Sequence, residues 1–306
     1  MLSGRAPSCF LTRRILLLKN IEYRGSKADP VGSPWKAAPL HALRFPRTPT
    51  SSPQMPVSNQ RISVFIAGVQ KGGTTSLFGY LSAHPALSAP SRKELHVFDD
   101  EARAWGTPNL ADLDTYYDPA DVERLRFEAT PIYLYWPPAI ARLAAYNPTS
   151  RLILVFRDPV ERAWSHWCME ADLGIETLSF ATAIRSGRDR MDPADPLAYP
   201  WRVFSYIERG LYGAQMKRAL RYFPKSQKLS LSSVELRNDR ASALRRIAGF
   251  LEIGPFGEVP ARDEMRRPRQ FRLAGPTPED RSYCQACFAD DLADFREITG
   301  VDLSMG

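Results

Sequence analysis

An α/β fold, with a central parallel sheet flanked by helices, is what the sequence predicts, and three observations carry it. Two short β-rich runs, ISVFIAG (62–68) and RLILVF (151–156), are almost wholly apolar and bounded by turn residues, as buried strands are. Each passes directly into a stretch with helix-start signals. Strands alternating with helices along one chain build a parallel sheet covered on both faces.

Taken in order, the first strand ends in Gly68 and is followed by TTSLFGYLSAH. There Leu77, Tyr80, Leu81 and His84 fall at i, i+3, i+4 and i+7 on one helical face, and Pro85 stops the helix. RLRFEAT (124–130) and QKLSLSS (227–233) read as weaker strands. The second strong strand opens into DPVERAWSHW. Asp158 reads as the N-cap, Pro159 takes the first helical position and Glu161 completes a capping box. Further helices are expected at 137–146, 205–222, 239–251 and 280–298. The Asp/Pro-rich stretch 185–200 reads as a loop, and 260–280 as a basic irregular segment.

Charge narrows the function classes. The net charge is +7 over 306 residues, which at first suggests a polyanion partner. Nine of the 41 basic side chains but two of the 34 acidic ones lie in residues 1–54, leaving 32 of each in the remainder. The expected folded part is neutral, so a nucleic-acid binder is not expected, and any anion must be gripped locally. Residues 1–56 read as a disordered basic leader, with translation beginning at Met55 as the simplest account and a transit peptide as the other; residues 57–306 form the expected single domain. No apolar run approaches the ~20 residues of a membrane-spanning helix, so no stable membrane insertion is expected. Four cysteines make no disulfide framework and suit a reducing, cytoplasmic setting; CQAC (284–287) reads as small residues on a helix face rather than a metal or redox site.

The stretch FIAGVQKGGTTSLFGYL (65–81) has the form of an anion site, in which backbone N–H groups and a helix N-terminus converge on one spot. It makes the expected domain P-loop-like, yet it is not an ATPase loop. Aligning Gly68 and Gly73 with G-x-x-x-x-G-K-[ST] puts Thr74 in the lysine slot, while Lys71 comes two residues before Gly73. A nucleoside triphosphate needs the late lysine and a metal. A phosphosulfate carries less charge at its transferable end, and one ammonium on the bridging oxygen suffices. No carboxylate or His cluster has metal-ligand spacing, so no metal is expected.

GVQKGGTTSLFGYLSAHP resembles the 5′-phosphosulfate loop of sulfotransferases, particularly the heparan sulfate type and its bacterial relatives. The resemblance implies 3′-phosphoadenosine 5′-phosphosulfate (PAPS) as donor, held by Lys71, Gly72, Gly73, Thr74, Thr75 and Ser76. LVFRDPVERAWSHW supplies the family's second signature, an arginine at a strand end and a serine eight positions on; it implies that Arg157 and Ser165 hold the 3′-phosphate. Without the resemblance, an arginine at the carboxyl edge of a parallel strand still faces the crevice where ligands of such sheets sit.

RKELHVF (92–98) resembles the family's K-E-x-H-F-F-D, here Lys93, Glu94, His96, Phe98 and Asp99, with Val97 replacing an aromatic. Read as extended chain, Glu94 and His96 share a face. The resemblance implies Glu94 as general base, with His96 as a positioning residue or second candidate. FEATPIYLYW (127–136) aligns with the family's E-K-S-P-x-Y stretch, which lines the acceptor cleft, but Ala129 replaces its lysine, and Thr75 stands where these enzymes often carry arginine. Both departures remove positive charge and argue against a densely anionic acceptor. Trp105, Tyr116, Tyr117, Tyr133, Tyr135 and Trp136 offer flat apolar surface instead. SYIERGLYGAQMKRALRYFP resembles the S-x-x-x-x-G-x-Y segment, followed by a strand and turn at LSLSSVELRND. The K-G-R donor loop is missing, with only Arg266, Arg267 and Arg269 in its place. The expectation is a PAPS-dependent sulfotransferase acting on a glycan, glycolipid or small-molecule acceptor. A P-loop kinase or NTPase, and a catalytically silent nucleotide-binding protein, are the alternatives.

Overall fold

A computed structural model describes residues 61–258 and 275–303. Five strands form one parallel sheet: β1 (Val64–Gly68), β2 (Leu87–Ser88), β3 (Leu125–Ala129), β4 (Arg151–Phe156) and β5 (Lys228–Ser232), in the order β2-β3-β1-β4-β5. Val64 of β1 lies between Phe127 and Arg151, and Ile66 lies between Ala129 and Ile153. The chain leaves β1 to build one side of the sheet and later returns to build the other. The end of β1 is therefore the topological switch point, where ligands of open α/β sheets bind.

The expected strands form because β1 and the apolar run of β4 bury every side chain on one face or the other. Phe65, Leu152, Leu154 and Phe156 join one core with Trp136, Ile140, Leu143, Tyr212 and Phe295. These come from α2 (Ala139–Tyr146), α6 (Tyr212–Leu220), α9 (Pro278–Thr299) and the loop before α2. Val64, Ile66, Ile153 and Val155 face the other way onto Leu77, Leu81, Ile247 and Leu251. Those belong to α1 (Thr74–Ser82) and α8 (Arg240–Leu251). No helix among the described residues is long and apolar enough to cross a membrane.

The helix caps follow the sequence signals. Asp158 accepts from the Glu161 N–H at 2.8 Å and opens α3 (Pro159–Asp172) with Pro159 in its first turn. The Glu161 carboxylate does not complete the reciprocal half of the box, because it is taken by Arg157 and Arg281. Asp239 caps α8 and Thr277 caps α9. Cys284 and Cys287 lie on α9, with Cys284 packed against Val160, Phe288 and Phe180 of α4 (Phe180–Ala183).

Several expectations need correction. The helix expected over 205–222 is broken at Leu211, whose ψ of 76° is not helical, leaving a 3₁₀ turn (Glu208–Gly210) before α6. Tight packing there has a cause: a Cβ on Gly210 would come within 2.5 Å of the Phe288 ring. The 185–200 loop contains a 3₁₀ turn at Ser186–Arg190 and the start of α5 (Tyr199–Val203). The turn expected after β5 is instead α7 (Ser233–Asn238), capped by Ser232 accepting from the Glu235 N–H. Tyr117, Tyr133 and Trp136 are buried, so they are core rather than binding surface. Arginines cover others: Arg142 lies over Trp105, Arg92 over Tyr116 and Arg209 over Tyr135. The leader, and Arg266, Arg267 and Arg269, lie outside the described residues.

Candidate active site

Three adjacent strand ends carry the expected site. The glycine loop leaves β1, Glu94 is pinned to the end of β3 by its N–H on the Ala129 carbonyl (3.1 Å), and Arg157 directly follows β4. Neighbouring strands lie ~5 Å apart, so Lys71 and Arg157, 86 positions apart in the chain, are brought to one edge of the sheet.

The loop is shaped by backbone needs. A Cβ on Gly72 would sit 2.3 Å from the Val155 carbonyl oxygen, so the loop lies directly on β4. Gly73 has φ 103°, a left-handed conformation that glycine adopts without steric cost, and it precedes α1. No side chain caps α1, so the opening N–H groups at Thr74, Thr75 and Ser76 are presented as an anion-binding helix start requires. Lys71 extends its ammonium to within 3.8 Å of the Met169 sulfur on α3. Ser165 is one turn earlier on the same face of α3, so the Lys71 and Ser165 sides of the crevice share a wall. A cavity of about 580 Å³ opens beside Arg157, bounded by the start of α3, α7 and α9. Burial pulls the Arg157 guanidinium below its ordinary pKa; Glu161, 3.4 Å away, opposes the shift and the Arg237 charge adds to it. Tyr212 donates its hydroxyl to the Arg157 carbonyl at 3.0 Å and fixes the strand end.

The Lys93–Asp99 segment is not extended. Glu94 (φ 62°) and His96 (φ 55°) are both left-handed, while Leu95 between them and Val97 after them are buried. Glu94 and His96 still share the outer face, but through a kinked backbone. Three side chains enforce it. Glu128 accepts from the Leu95 N–H at 3.2 Å, Thr130 from the His96 N–H at 3.4 Å, and the Tyr133 hydroxyl from Val97 at 3.1 Å; Thr130 also donates to Glu128. Glu128, Thr130 and Tyr133 are fully buried, so in this chain they hold the loop instead of lining a cleft. Burial raises the Glu128 carboxyl to about 7, against the hydrogen bonds from Thr130 and Leu95.

Among the described residues, four non-glycine positions have positive φ: Lys71, Glu94, His96 and the α8 cap Glu252. Left-handed backbone costs such residues ~1–3 kcal/mol each and collects at functional sites. Three of the four are the residues expected to do the chemistry.

Their charges form a chain. The Lys93 ammonium donates to Glu94, and the Glu94 carboxylate lies 3.6 Å from His96 Nε2. His96 Nδ1 is 3.0 Å from Asp99, which also accepts from Arg202 at 2.5 Å. Burial alone would raise Glu94, but the hydrogen bond to His96 and the Lys93 charge hold it at about 2. Burial would lower His96, but Asp99 and Glu94 push it up to about 9. At neutral pH the pair is carboxylate and imidazolium.

Arg202 and Arg209 carry no expectation from sequence, and Asp99 only a place in the K-E-x-H-F-F-D match, yet they join the two halves. The Arg202 carbonyl accepts from Arg209 at 2.6 Å, and Arg209 donates to the side chain of Gln70, the residue before Lys71. Arg209 is buried and also donates to Ser205 at 2.9 Å. Ser205 and Tyr212, the ends of the S-x-x-x-x-G-x-Y segment, thus brace Arg209 and Arg157 respectively. The partners of Arg209 and Arg202 lie 139 and 103 residues away, beyond any local pattern.

An anion loop and a proton-handling pair on adjoining strands describe a nucleotide-dependent group-transfer enzyme. Comparison with known proteins makes the class specific. The chain belongs to the sulfotransferase family: the model of the sulfotransferase domain matches residues 61–267. It is 34% identical over 202 residues to mouse heparan sulfate glucosamine 3-O-sulfotransferase 3A1, covering 64% of this chain and 47% of that protein. The corresponding figures for mouse heparan sulfate glucosamine 3-O-sulfotransferase 3B1 are 31% over 247 residues, 72% and 59%. This chain therefore spans about half the length of the curated relatives it matches. A solved sulfotransferase from Alicyclobacillus acidocaldarius superposes with a TM-score of 0.67 at 28% identity, covering 80% of this chain and 98% of that one.

Proposed function

We propose that the chain transfers a sulfuryl group from PAPS to a hydroxyl of a glycan, glycolipid or small molecule. The observation that carries this reading is the left-handed backbone at Lys71, Glu94 and His96, which aims an ammonium and a carboxylate–imidazolium pair from adjacent strand ends. The donor supplies an electrophilic sulfuryl group on a bisphosphate leaving group. The residues present fit it: Gly72 keeps the loop free of a side chain, Lys71 and the α1 amides suit its 5′ end, and Arg157 with Ser165 suits its 3′-phosphate. Glu94 accepts the acceptor's proton as the hydroxyl oxygen bonds to sulfur. Lys71 stabilises the charge that builds on the departing phosphate. His96, anchored by Asp99, holds the Glu94 carboxylate in place. Positioning and electrostatics supply most of the acceleration, as in phosphoryl transfer.

The charge around the crevice favours an acceptor that is not densely anionic. Thr75 and Ala129 are neutral, the wall touched by Lys71 is the Met169 thioether, and Lys93 is already engaged by Glu94. The names of the relatives refer to heparan sulfate; at positions 75 and 129 this chain carries Thr and Ala where such a polyanion would call for cations. The free thiols Cys168, Cys284 and Cys287 suit a cytoplasmic setting.

Incubation of the full chain with radiolabelled PAPS and a panel of glycans, glycolipids and small alcohols tests the reading. Label is expected on an uncharged hydroxyl acceptor in preference to a sulfated polysaccharide. Donor binding with no transfer to any acceptor would indicate the silent nucleotide binder. Magnesium-dependent ATP binding would indicate a kinase or NTPase.

A further inference from the structure

The cavity beside Arg157 is lined by an arginine that lies outside the family signature and has no partner among the described residues, and resting on the donor assignment above, we propose that this residue, Arg237 of α7, is a ligand of the donor's 3′-phosphate and sets the preference for a 3′-phosphorylated nucleotide. Four arginines face this cavity: Arg157, Arg237, Arg281 and Arg296. Their partners separate them. Arg296 is paired with Asp302 at 3.1 Å, and Arg281 with Glu161 at 2.8 Å. Arg157 shares that same Glu161 at 3.4 Å. Asp158, the other acid at the rim, is spent on capping α3. Among the described residues Arg237 makes no ion pair or hydrogen bond, although it stands close enough to Arg157 for the two charges to repel.

Two guanidinium groups lining one open cavity form an arrangement that an anion relieves. The charge balance supports a phosphate monoester. Such a group carries about −1.5 to −2 at neutral pH, whereas Arg157 brings one positive charge and part of that is countered by Glu161. Ser165 contributes a hydroxyl but no charge. Arg237 closes the deficit. Its placement also fits the sheet, because α7 follows β5 directly and Leu236 packs 3.9 Å from the Cβ position of Gly73. The helix that carries Arg237 thus borders both the 5′ loop and the Arg157 cavity.

The test is calorimetric titration of the full chain with adenosine 3′,5′-bisphosphate and, separately, adenosine 5′-monophosphate. Arg237 is exposed, so its replacement leaves the core untouched. Arg237→Ala is expected to weaken bisphosphate binding about tenfold, the scale of one charge-assisted hydrogen bond, while monophosphate binding changes less than about twofold. Arg237→Lys, a point charge without the fork, is expected to recover part of the loss. Equal weakening of both nucleotides, or of neither, overturns the assignment of Arg237 alone. Failure of the unaltered chain to prefer the bisphosphate overturns the donor reading and this inference with it.

Discussion

The two halves of the crevice handle charge in opposite ways. On the proposed donor side, cations outnumber their partners: Lys71 rests against a thioether, Arg157 shares one carboxylate with Arg281, and Arg237 has no partner among the described residues. On the acceptor side, nearly every charge is matched, with Lys93, His96 and Arg202 threaded between Glu94 and Asp99. The contrast teaches what each half is for. A site that must hold an anion keeps cations uncommitted. A site that must accept a proton keeps its carboxylate ionised and fixed, and internal pairing does both. A two-arginine strut, Arg202 to Arg209 to Gln70, keeps the halves in register.

The contrast breaks most completely at Lys71. Lys71→Ala should lower kcat by roughly 10²–10³-fold or more, the scale of losing a donor to a developing oxyanion. A steady-state assay at saturating donor checks this. Gly72→Ala is next, since a Cβ 2.3 Å from the Val155 carbonyl forces the loop off β4. A donor-affinity loss of about tenfold or more is expected, with a lowered Tm in thermal unfolding. Cutting the strut sharpens the comparison instead. Gln70→Leu should cost about tenfold in kcat by misplacing Lys71, while Gln70→Glu, which keeps an acceptor for Arg209, should cost less; retained activity in Gln70→Leu would show that the halves are set independently.

The smallest effect is the most diagnostic for the base. Glu94, held at about 2, is ionised at every working pH, so kcat/KM should be flat on the acid side, with its limb near the His96 value of about 9. Were His96 the base, the rate would climb ~10-fold per pH unit from neutrality towards that value. The same shifts have a stability consequence. The depressed Glu94 contributes above its ordinary 4.5 and loses that contribution as pH falls through about 2. The raised His96 contributes below its ordinary 6.5 and loses that contribution as pH rises through about 9. The pair is therefore most stabilising between 4.5 and 6.5.

What was legible in the sequence is what local chemistry dictates. β1, β4, the Asp158 cap and the early lysine all follow from spacing and residue type within a few positions. β2 spans only Leu87–Ser88, too short for a periodic signal. α7 carried a readable one, Ser232 three residues before Glu235, but its six residues are too few for a helical period to show. The left-handed Glu94 and His96 gave no sign, because glycine is the residue that marks positive φ and neither is glycine. Their conformation is imposed by Glu128, Thr130 and Tyr133 from 33 to 36 residues away. The Arg202–Arg209 strut, and an Arg237 with no partner among the described residues, exist only once the sheet brings its strand ends together.

The division of labour between the halves is tested most directly by titrating adenosine 3′,5′-bisphosphate into Glu94→Gln beside the unaltered chain, with turnover measured on the same samples. Turnover should fall ~10²–10⁴-fold while the bisphosphate Kd stays within about twofold. Loss of nucleotide affinity in step with turnover would contradict it, since Glu94 would then belong to the donor grip and not to proton transfer.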